Sequence, residues 1–260
     1  MGRHRADTAD TPLGGRFVLH SQLGYGASGV VWSAHDLRRR ELVAVKVMRP
    51  GTVDPPGAVT EAMVRLAHPH VVAPYFGERV GGQSFVAMPL VRGGTVHQLT
   101  THGPLPPVHV ARLLDQLLQG LACVHSSGLV HRDVKPSNLL LDANGTLRLG
   151  DFGAAARIGE ATDADVGTDG YLAAEGNATP HPTQDLYSAG AVAAHLLTGQ
   201  PPWRGMVRPN GPLGTVVTML TAPNPAARPP SARHARALLM RAAAHLHPAA
   251  TGAEHRLLAS

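Results

Sequence analysis

Between positions 16 and about 91 the apolar residues fall in short runs rich in β-branched side chains: 16–23, 30–34, 42–47 and 84–88. Glycines, the triplet Arg38-Arg39-Arg40 and the pair Gly81-Gly82 separate them. Alternation bounded by such breakers predicts strands. One segment departs: positions 58–67, after Pro55-Pro56 and before Pro69, predict a helix. Beyond Arg92-Gly93-Gly94 the period changes. Val110, Leu113, Leu114, Leu117, Leu118, Leu121 and Val124 recur at helical spacing and predict a buried helix over 108–126. Leu139–Leu141 and Leu147–Leu149, hinged on Asn144-Gly145, predict a hairpin. Two more helices are expected, over 185–198 and 231–246, and no internal repeat is present. A strand-rich first third joined to a helical remainder predicts an α+β chain of two lobes with a cleft between them.

Composition narrows the function classes. Hydrophobic residues make up 43% and charged residues 16% of 260, enough for a core and too little charge for disorder. The net charge of +5 would suit an anionic partner, but Lys and Arg are scattered, and Arg38-Arg39-Arg40 fits a solvated turn. No nucleic-acid stripe is expected. A lone Cys123 excludes an internal disulfide, and its apolar setting fits a buried thiol. No apolar run approaches the ~18 residues of a membrane helix, and the polar start has no signal-peptide apolar region. A cytoplasmic chain without a membrane span is the expectation.

The first segment with chemistry is Leu23-Gly24-Tyr25-Gly26-Ala27-Ser28-Gly29-Val30-Val31. Glycines let backbone N–H groups come close to phosphate. With 29 glycines in the chain the spacing alone is weak. Its strand-to-strand setting argues against the dinucleotide fingerprint, which runs from strand to helix. Downstream, Val43-Ala44-Val45-Lys46 ends an alternating strand in a lysine able to grip phosphate oxygens, where an ordinary surface lysine is the plain alternative. The strongest signal is His131-Arg132-Asp133-Val134-Lys135-Pro136-Ser137-Asn138, followed by Asp151-Phe152-Gly153. Phosphoryl transfer needs positioning, metal ions, cations on developing charge and a carboxylate that orients the nucleophile. Asp133 can accept a hydroxyl proton and Lys135 can neutralise the γ-phosphate. Asn138 and Asp151 offer the oxygen ligands Mg²⁺ takes.

In that order these segments resemble the eukaryotic-type protein kinases, in their bacterial serine/threonine branch. Gly167–Glu175, with Thr168, Tyr171 and Ala173-Ala174-Glu175, is similar to the end of the activation segment. Asp185-Leu186-Tyr187-Ser188-Ala189-Gly190 and Asn224-Pro225-Ala226-Ala227-Arg228-Pro229 resemble two further family segments, whose arginine, here Arg228, pairs with Glu175. The resemblance covers about 15–246 and implies a bilobal kinase fold: a small lobe over about 14–88, a linker over 89–94 and a large lobe over 95–246. Polar tails over 1–13 and 247–260 flank it.

The activity implied is transfer of the γ-phosphoryl of ATP, with Mg²⁺ or Mn²⁺ in its place, to Ser or Thr hydroxyls of protein substrates in signalling. Asp133, Lys135, Lys46 and Thr168 are the implied catalytic set, and Asn138 and Asp151 the metal ligands. Leu23, Gly24, Gly26, Gly29, Val31, Ala44, Lys46, Glu61, Met88, Pro89, Val91 and Leu140 form the implied nucleotide site. In it Val31, Ala44 and Leu140 sandwich the adenine, Met88 is the gatekeeper, and the Pro89 carbonyl and Val91 N–H face the adenine edge. Thr162 is the hydroxyl placed for autophosphorylation, with Arg132 to receive it. Alternatively Glu160, Asp163 and Asp165 already satisfy Arg132.

Four departures stand out. The family's helix glutamate falls at Val59, yet the acid present is Glu61; a two-residue deletion would restore a Lys46–Glu61 pair. The usual Ala-Pro-Glu reads Ala173-Ala174-Glu175. Arg92 replaces an acid near the ribose. Few residues separate Trp203 from Asn224, so part of the substrate platform is trimmed. The rival class is an ATP-binding pseudokinase scaffold, which commonly lacks one of Lys46, Asp133, Asn138 or Asp151, all present here. A small-molecule phosphotransferase is disfavoured by Lys135-Pro136, Thr168 and Arg228.

Overall fold

The computed structural model describes residues 12–26, 28–49, 57–162, 167–176 and 178–246. Most of the two polar tails, and Asp163 and Asp165, lie outside them. The chain divides into two compact units, one from residues before 55 together with Ala73–Leu90, the other from Pro55–Val72 and Val91 onward.

The first unit is a five-stranded antiparallel sheet of β1 (Phe17–Gly26), β2 (Gly29–Asp36), β3 (Glu41–Met48), β4 (Phe76–Val80) and β5 (Gln83–Pro89), in the order β1-β2-β3-β5-β4. Alternate residues of a strand face opposite sides. One face carries Phe17, Ala34, Val43, Val45, Phe85 and Ala87, all at most 1% exposed, and forms the unit's core. Register places Gly24 opposite Val31, Val31 opposite Lys46, and Lys46 opposite Val86, with Ala44 opposite Met88. By that alternation Ala44 and Lys46 share the face away from this core, and both are nevertheless buried. β4 was not expected. It has no alternation, because Gly77, Glu78, Arg79 and Val80 are all exposed on the sheet edge.

A buried ion pair closes this unit. Asp36, fully buried, accepts Arg16 Nε and Nη2 at 2.9 and 2.7 Å, the Tyr75 hydroxyl at 3.0 Å, and the backbone N–H groups of Arg38 and Arg39. The Arg16 guanidinium, with those N–H donors, holds the Asp36 carboxyl far below the usual carboxylate range against the opposing effect of burial. Its stabilisation is therefore complete above the unfolded pKa of about 4 and is lost as pH falls toward the lower folded value. Removing one partner of a buried pair costs about 3 kcal/mol. Asp36→Ala should lower Tm by roughly 6–12 °C at pH 7. The gap to the wild type should narrow below about pH 4. A pH series of melting curves checks both, and a gap that stays constant into acid contradicts the assignment.

The second unit holds α1 (Gly57–Val64), α2 (Val96–Thr100), α3 (Pro107–Ser126), α4 (Pro182–Thr198), α5 (Gly211–Leu220) and α6 (Ala232–Ala243), with short pairs β6 (Leu129–Val130) against β9 (Ala156–Arg157) and β7 (Leu139–Leu141) against β8 (Leu147–Leu149). α3 starts on Pro107, where a missing N–H costs nothing, and every apolar position expected to face inward is buried. α4 is packed by α3, α5 and α6, and its small residues Ala189, Gly190, Ala191, Ala193 and Ala194 are all buried. It begins at Pro182, three residues before the expected start. α1 and α6 each stop three residues short of the expected ends, at Val64 and Ala243. No helix among the described residues is long and apolar enough to cross a membrane.

Candidate active site

The loop after β6 is organised by one carboxylate. Asp185, in the first turn of α4 and fully buried, accepts the N–H of Arg132 on Oδ1 and the N–H of His131 and Nε2 of His125 on Oδ2, each at 2.8 Å. Burial alone would raise its carboxyl. The His125 hydrogen bond, the two histidine rings and the His131 N–H outweigh that, and Asp185 lies below the usual carboxylate value. The two backbone bonds hold Arg132 at a positive φ of 69°, a conformation that costs an L-residue about 1–2 kcal/mol. His131, itself without exposure, faces the Gly150 carbonyl with Nε2 at 2.9 Å and the Asp133 N–H with Nδ1 at 3.3 Å. Those partners make Nε2 the protonated nitrogen. The same ring packs edge-on against Phe152 at 4.8 Å.

The strained turn delivers Asp133 into a closed set of hydrogen bonds. Its Oδ1 accepts the Thr168 hydroxyl at 2.9 Å, and its Oδ2 meets Lys135 Nζ at 2.7 Å and Asn138 Nδ2 at 3.0 Å. Lys135 Nζ also donates to Thr168 Oγ1 at 2.8 Å. Asn138 Nδ2 donates again to the Asp133 carbonyl at 2.8 Å, so the amide nitrogen is committed and its oxygen is the atom it can offer a cation. Asp151 caps the turn Phe152–Ala154 by accepting the Gly153 N–H at 3.3 Å, with a left-handed φ of 56°. Of the expected catalytic and metal residues, Asp133, Lys135, Thr168 and Asn138 are thus joined directly, and Asp151 sits thirteen residues beyond Asn138 in the same unit.

The expected nucleotide residues divide between the units. Leu23, Gly24, Gly26, Gly29, Val31, Ala44, Lys46, Met88 and Pro89 are on the sheet of the first. Glu61 (exposed, on α1), Val91 and Leu140 (in β7) belong to the second. The three loop glycines are not equivalent. A Cβ on Gly29 would stand 2.2 Å from the Val47 carbonyl, so packing demands glycine there. A Cβ on Gly24 or Gly26 would meet nothing within 4 Å, and neither has a positive φ. Nothing among the described residues requires glycine at those two positions.

The segment leading to α4 is tied down at several points. Arg228, buried, pairs with both carboxylate oxygens of Glu175 at 2.5 and 2.8 Å, and its guanidinium lies 5.0 Å from the Tyr187 ring centre. Ser188 Oγ donates to the Tyr171 carbonyl at 2.7 Å, and the Tyr171 hydroxyl meets His195 Nδ1 at 2.7 Å. Burial holds the Tyr171 phenol well above its ordinary value and the His195 imidazole below its own. Thr162 does not present an open hydroxyl. Its Oγ1 is buried with no partner among the described residues, and its N–H is bound to the Ala178 carbonyl. A phosphate at Thr162 would require Oγ1 to leave that buried position.

His125 and His195 were not anticipated. Their partners lie 60 and 24 residues away. The available signal was a histidine inside the otherwise apolar buried run Ala191–Leu196 of α4 and another directly after the buried Val124 of α3.

A closed Asp-Lys-Thr-Asn cluster braced by a buried Asp in one unit, and a glycine-looped antiparallel sheet in the other, define a protein kinase domain. The family model for the protein kinase domain matches residues 17–228, and the chain belongs to that family. Among curated proteins it is similar to serine/threonine-protein kinase PknL of Mycobacterium tuberculosis, 36% identical over 208 residues, which covers 74% of this chain and 52% of PknL. It is also similar to PknB of Mycobacterium leprae, 33% identical over 76% of this chain and 35% of the relative, and to PknD of M. tuberculosis, 34% identical over 73% and 31%. The chain spans about half the length of PknL and about a third of the other two.

Proposed function

We propose that this chain is a serine/threonine protein kinase, moving the γ-phosphoryl group of Mg-ATP onto a Ser or Thr hydroxyl of another protein. The carrying observation is the closed cluster of Asp133, Lys135, Thr168 and Asn138. The acceptor oxygen bonds to the γ-phosphorus as the bond to the β–γ bridging oxygen breaks. The hydroxyl proton passes to Asp133, and ADP leaves. Lys135, beside both Asp133 and Thr168, offsets charge on the transferring group, and Thr168 fixes the carboxylate that takes the proton. Most of the barrier reduction in such a reaction is positioning and electrostatics, which this rigid set supplies.

The residues present fit magnesium. Asn138 turns its amide nitrogen to Asp133, and Asp151 adds a carboxylate, the oxygen donors a hard cation takes. Asn138 and Asp151 would hold the cation, which would supply positive charge against the phosphates. Gly24 and Gly26, which packing does not explain, fit a backbone that must come close to phosphate. In this reading Lys46 grips the phosphates, Glu61 anchors it, and Val31, Ala44, Met88, Pro89, Val91 and Leu140 hold the adenine. Dependence on ATP suits a cytoplasmic site of action.

The direct test is incubation of the purified chain with γ-labelled Mg-ATP and a basic acceptor protein. Label on acceptor Ser or Thr is expected, and none on any acceptor sinks the reading. The metal assignment has its own measurement. Asp151→Ala should remove most of the gain in nucleotide affinity that Mg²⁺ brings to the wild type, on the order of ten-fold or more. Titration of ADP with and without Mg²⁺ reads it, and an unchanged gain shows that Asp151 is not a ligand.

A further inference from the structure

Trp203 lies in the short turn Pro202–Arg204, and its indole is 56% exposed. Single exposed apolar side chains are ordinary on a protein surface, and what sets this one apart is its fixed setting. The ring is not loose. It stands edge-on to Tyr171 and to His195, with centroids 6.1 Å away in each case. Its backbone is pressed against Gly170: a Cβ there would stand 2.7 Å from Trp203 N, and Gly170 has a φ of +82°. Tyr171 in turn is buried, pinned by Ser188 and His195, and its N–H donates to the Thr168 carbonyl at 3.0 Å. Trp203 is therefore a fixed apolar surface joined through one tight turn to the hydroxyl that contacts Asp133.

The reach follows from chain dimensions. A turn closed between Thr168 and Tyr171 spans less than about 7 Å between its end Cα atoms. The Tyr171 side chain adds about 4 Å and the gap between the rings 6.1 Å, so the indole lies within about 17 Å of Thr168. An extended acceptor chain advances about 3.3–3.6 Å per residue, so three or four residues span about 10–14 Å, inside that bound. No helix or strand covers the indole from the following stretch: 205–210 is irregular until α5 begins at Gly211, and Val207 within it is 47% exposed.

Resting on the kinase reading above, we propose that Trp203 is a specificity-determining residue for the protein acceptor. Its exposed indole receives an apolar side chain three or four positions from the phosphorylated hydroxyl. Trp203, named as part of no catalytic set, then selects acceptors by burial of one side chain.

The test uses matched serine peptides with leucine or serine at each position three or four residues either side of the acceptor. For the wild type, kcat/KM should favour one leucine peptide over its serine counterpart by roughly ten-fold, the discrimination one buried apolar side chain provides. The preference should sit in KM. Trp203→Ala should bring the ratio to about one, and Trp203→Phe should keep most of it. This ratio is independent of the fraction of enzyme folded, and Trp203→Gln gives a second reading should the alanine variant not fold. A preference unchanged in the alanine or glutamine variant overturns the proposal, as does a wild type that uses all the peptides equally. A wild type that transfers to neither peptide nor basic protein overturns the kinase reading itself.

Discussion

Asp133→Asn should lower kcat for protein phosphorylation by at least about 10²-fold while changing the affinity for ATP little. The substitution is nearly isosteric, so Thr168 Oγ1 can still donate to an amide oxygen where Oδ1 stands now. What disappears is the basic oxygen that takes the proton, together with the charge that Lys135 meets at 2.7 Å. Nucleotide contacts are assigned to other residues, so KM for ATP should stay within about three-fold. Thr168→Ala should cost less, roughly ten-fold, because it removes the group that orients the carboxylate and not the carboxylate itself. Thr168→Ser should restore most of that loss, since only the hydroxyl is used. Steady-state rates at saturating ATP, with burst-corrected active-site concentration, decide between these outcomes. An Asp133→Asn enzyme within ten-fold of wild type would show that another group takes the proton.

Much of this arrangement is legible in the sequence because its determinants are local. The strand β3 reads directly from Leu42-Val43-Ala44-Val45-Lys46-Val47, and the helix α3 from seven apolar residues at helical spacing. The order of Gly24, Lys46, Asp133, Asn138 and Asp151 along the chain was enough to anticipate the cluster that Asp133 and Asn138 form. The misses have physical causes. β4 is an edge strand whose side chains, beyond Phe76, face solvent, so no apolar alternation marks it. α5 opens on Gly211-Pro212 and carries Thr215, Val216, Val217 and Thr218, residues of low helix propensity that packing against α4 and α6 overrides. Spacing could not distinguish Gly29, which packing requires, from Gly24 and Gly26, which it does not. Nor could it show that Thr162 Oγ1 is buried, or that the residue braced by His125 lies on a helix sixty positions later.

Asp185 carries the second large effect, and it acts at a distance from the reacting atoms. Its two oxygens satisfy three donors in a fully buried setting, two of them the backbone N–H groups of His131 and of the strained Arg132 itself. Asp185→Ala leaves those donors unpaired, at about 1–3 kcal/mol each before relaxation, so a net loss of about 4 kcal/mol is expected. For a chain of this size that lowers Tm by roughly 8–16 °C. Activity should fall further than stability explains. The two backbone bonds are what Asp185 sets against the left-handed φ of Arg132, and the residue after it is Asp133. A displacement of about 1 Å at that carboxylate costs on the order of 10²-fold in kcat. Asp36→Ala supplies the control, because it removes a buried carboxylate of similar expected stabilising effect from the sheet unit and leaves the Asp133 loop untouched. At a temperature where circular dichroism shows both variants folded, Asp36→Ala should turn over near the wild-type rate and Asp185→Ala should not. His125→Gln, which can still present an N–H to Asp185, should lie between the wild type and Asp185→Ala in both properties. Equal kcat for the folded forms of the two aspartate variants would reduce Asp185 to a purely structural residue, and would mean that the catalytic loop holds its strained turn without it.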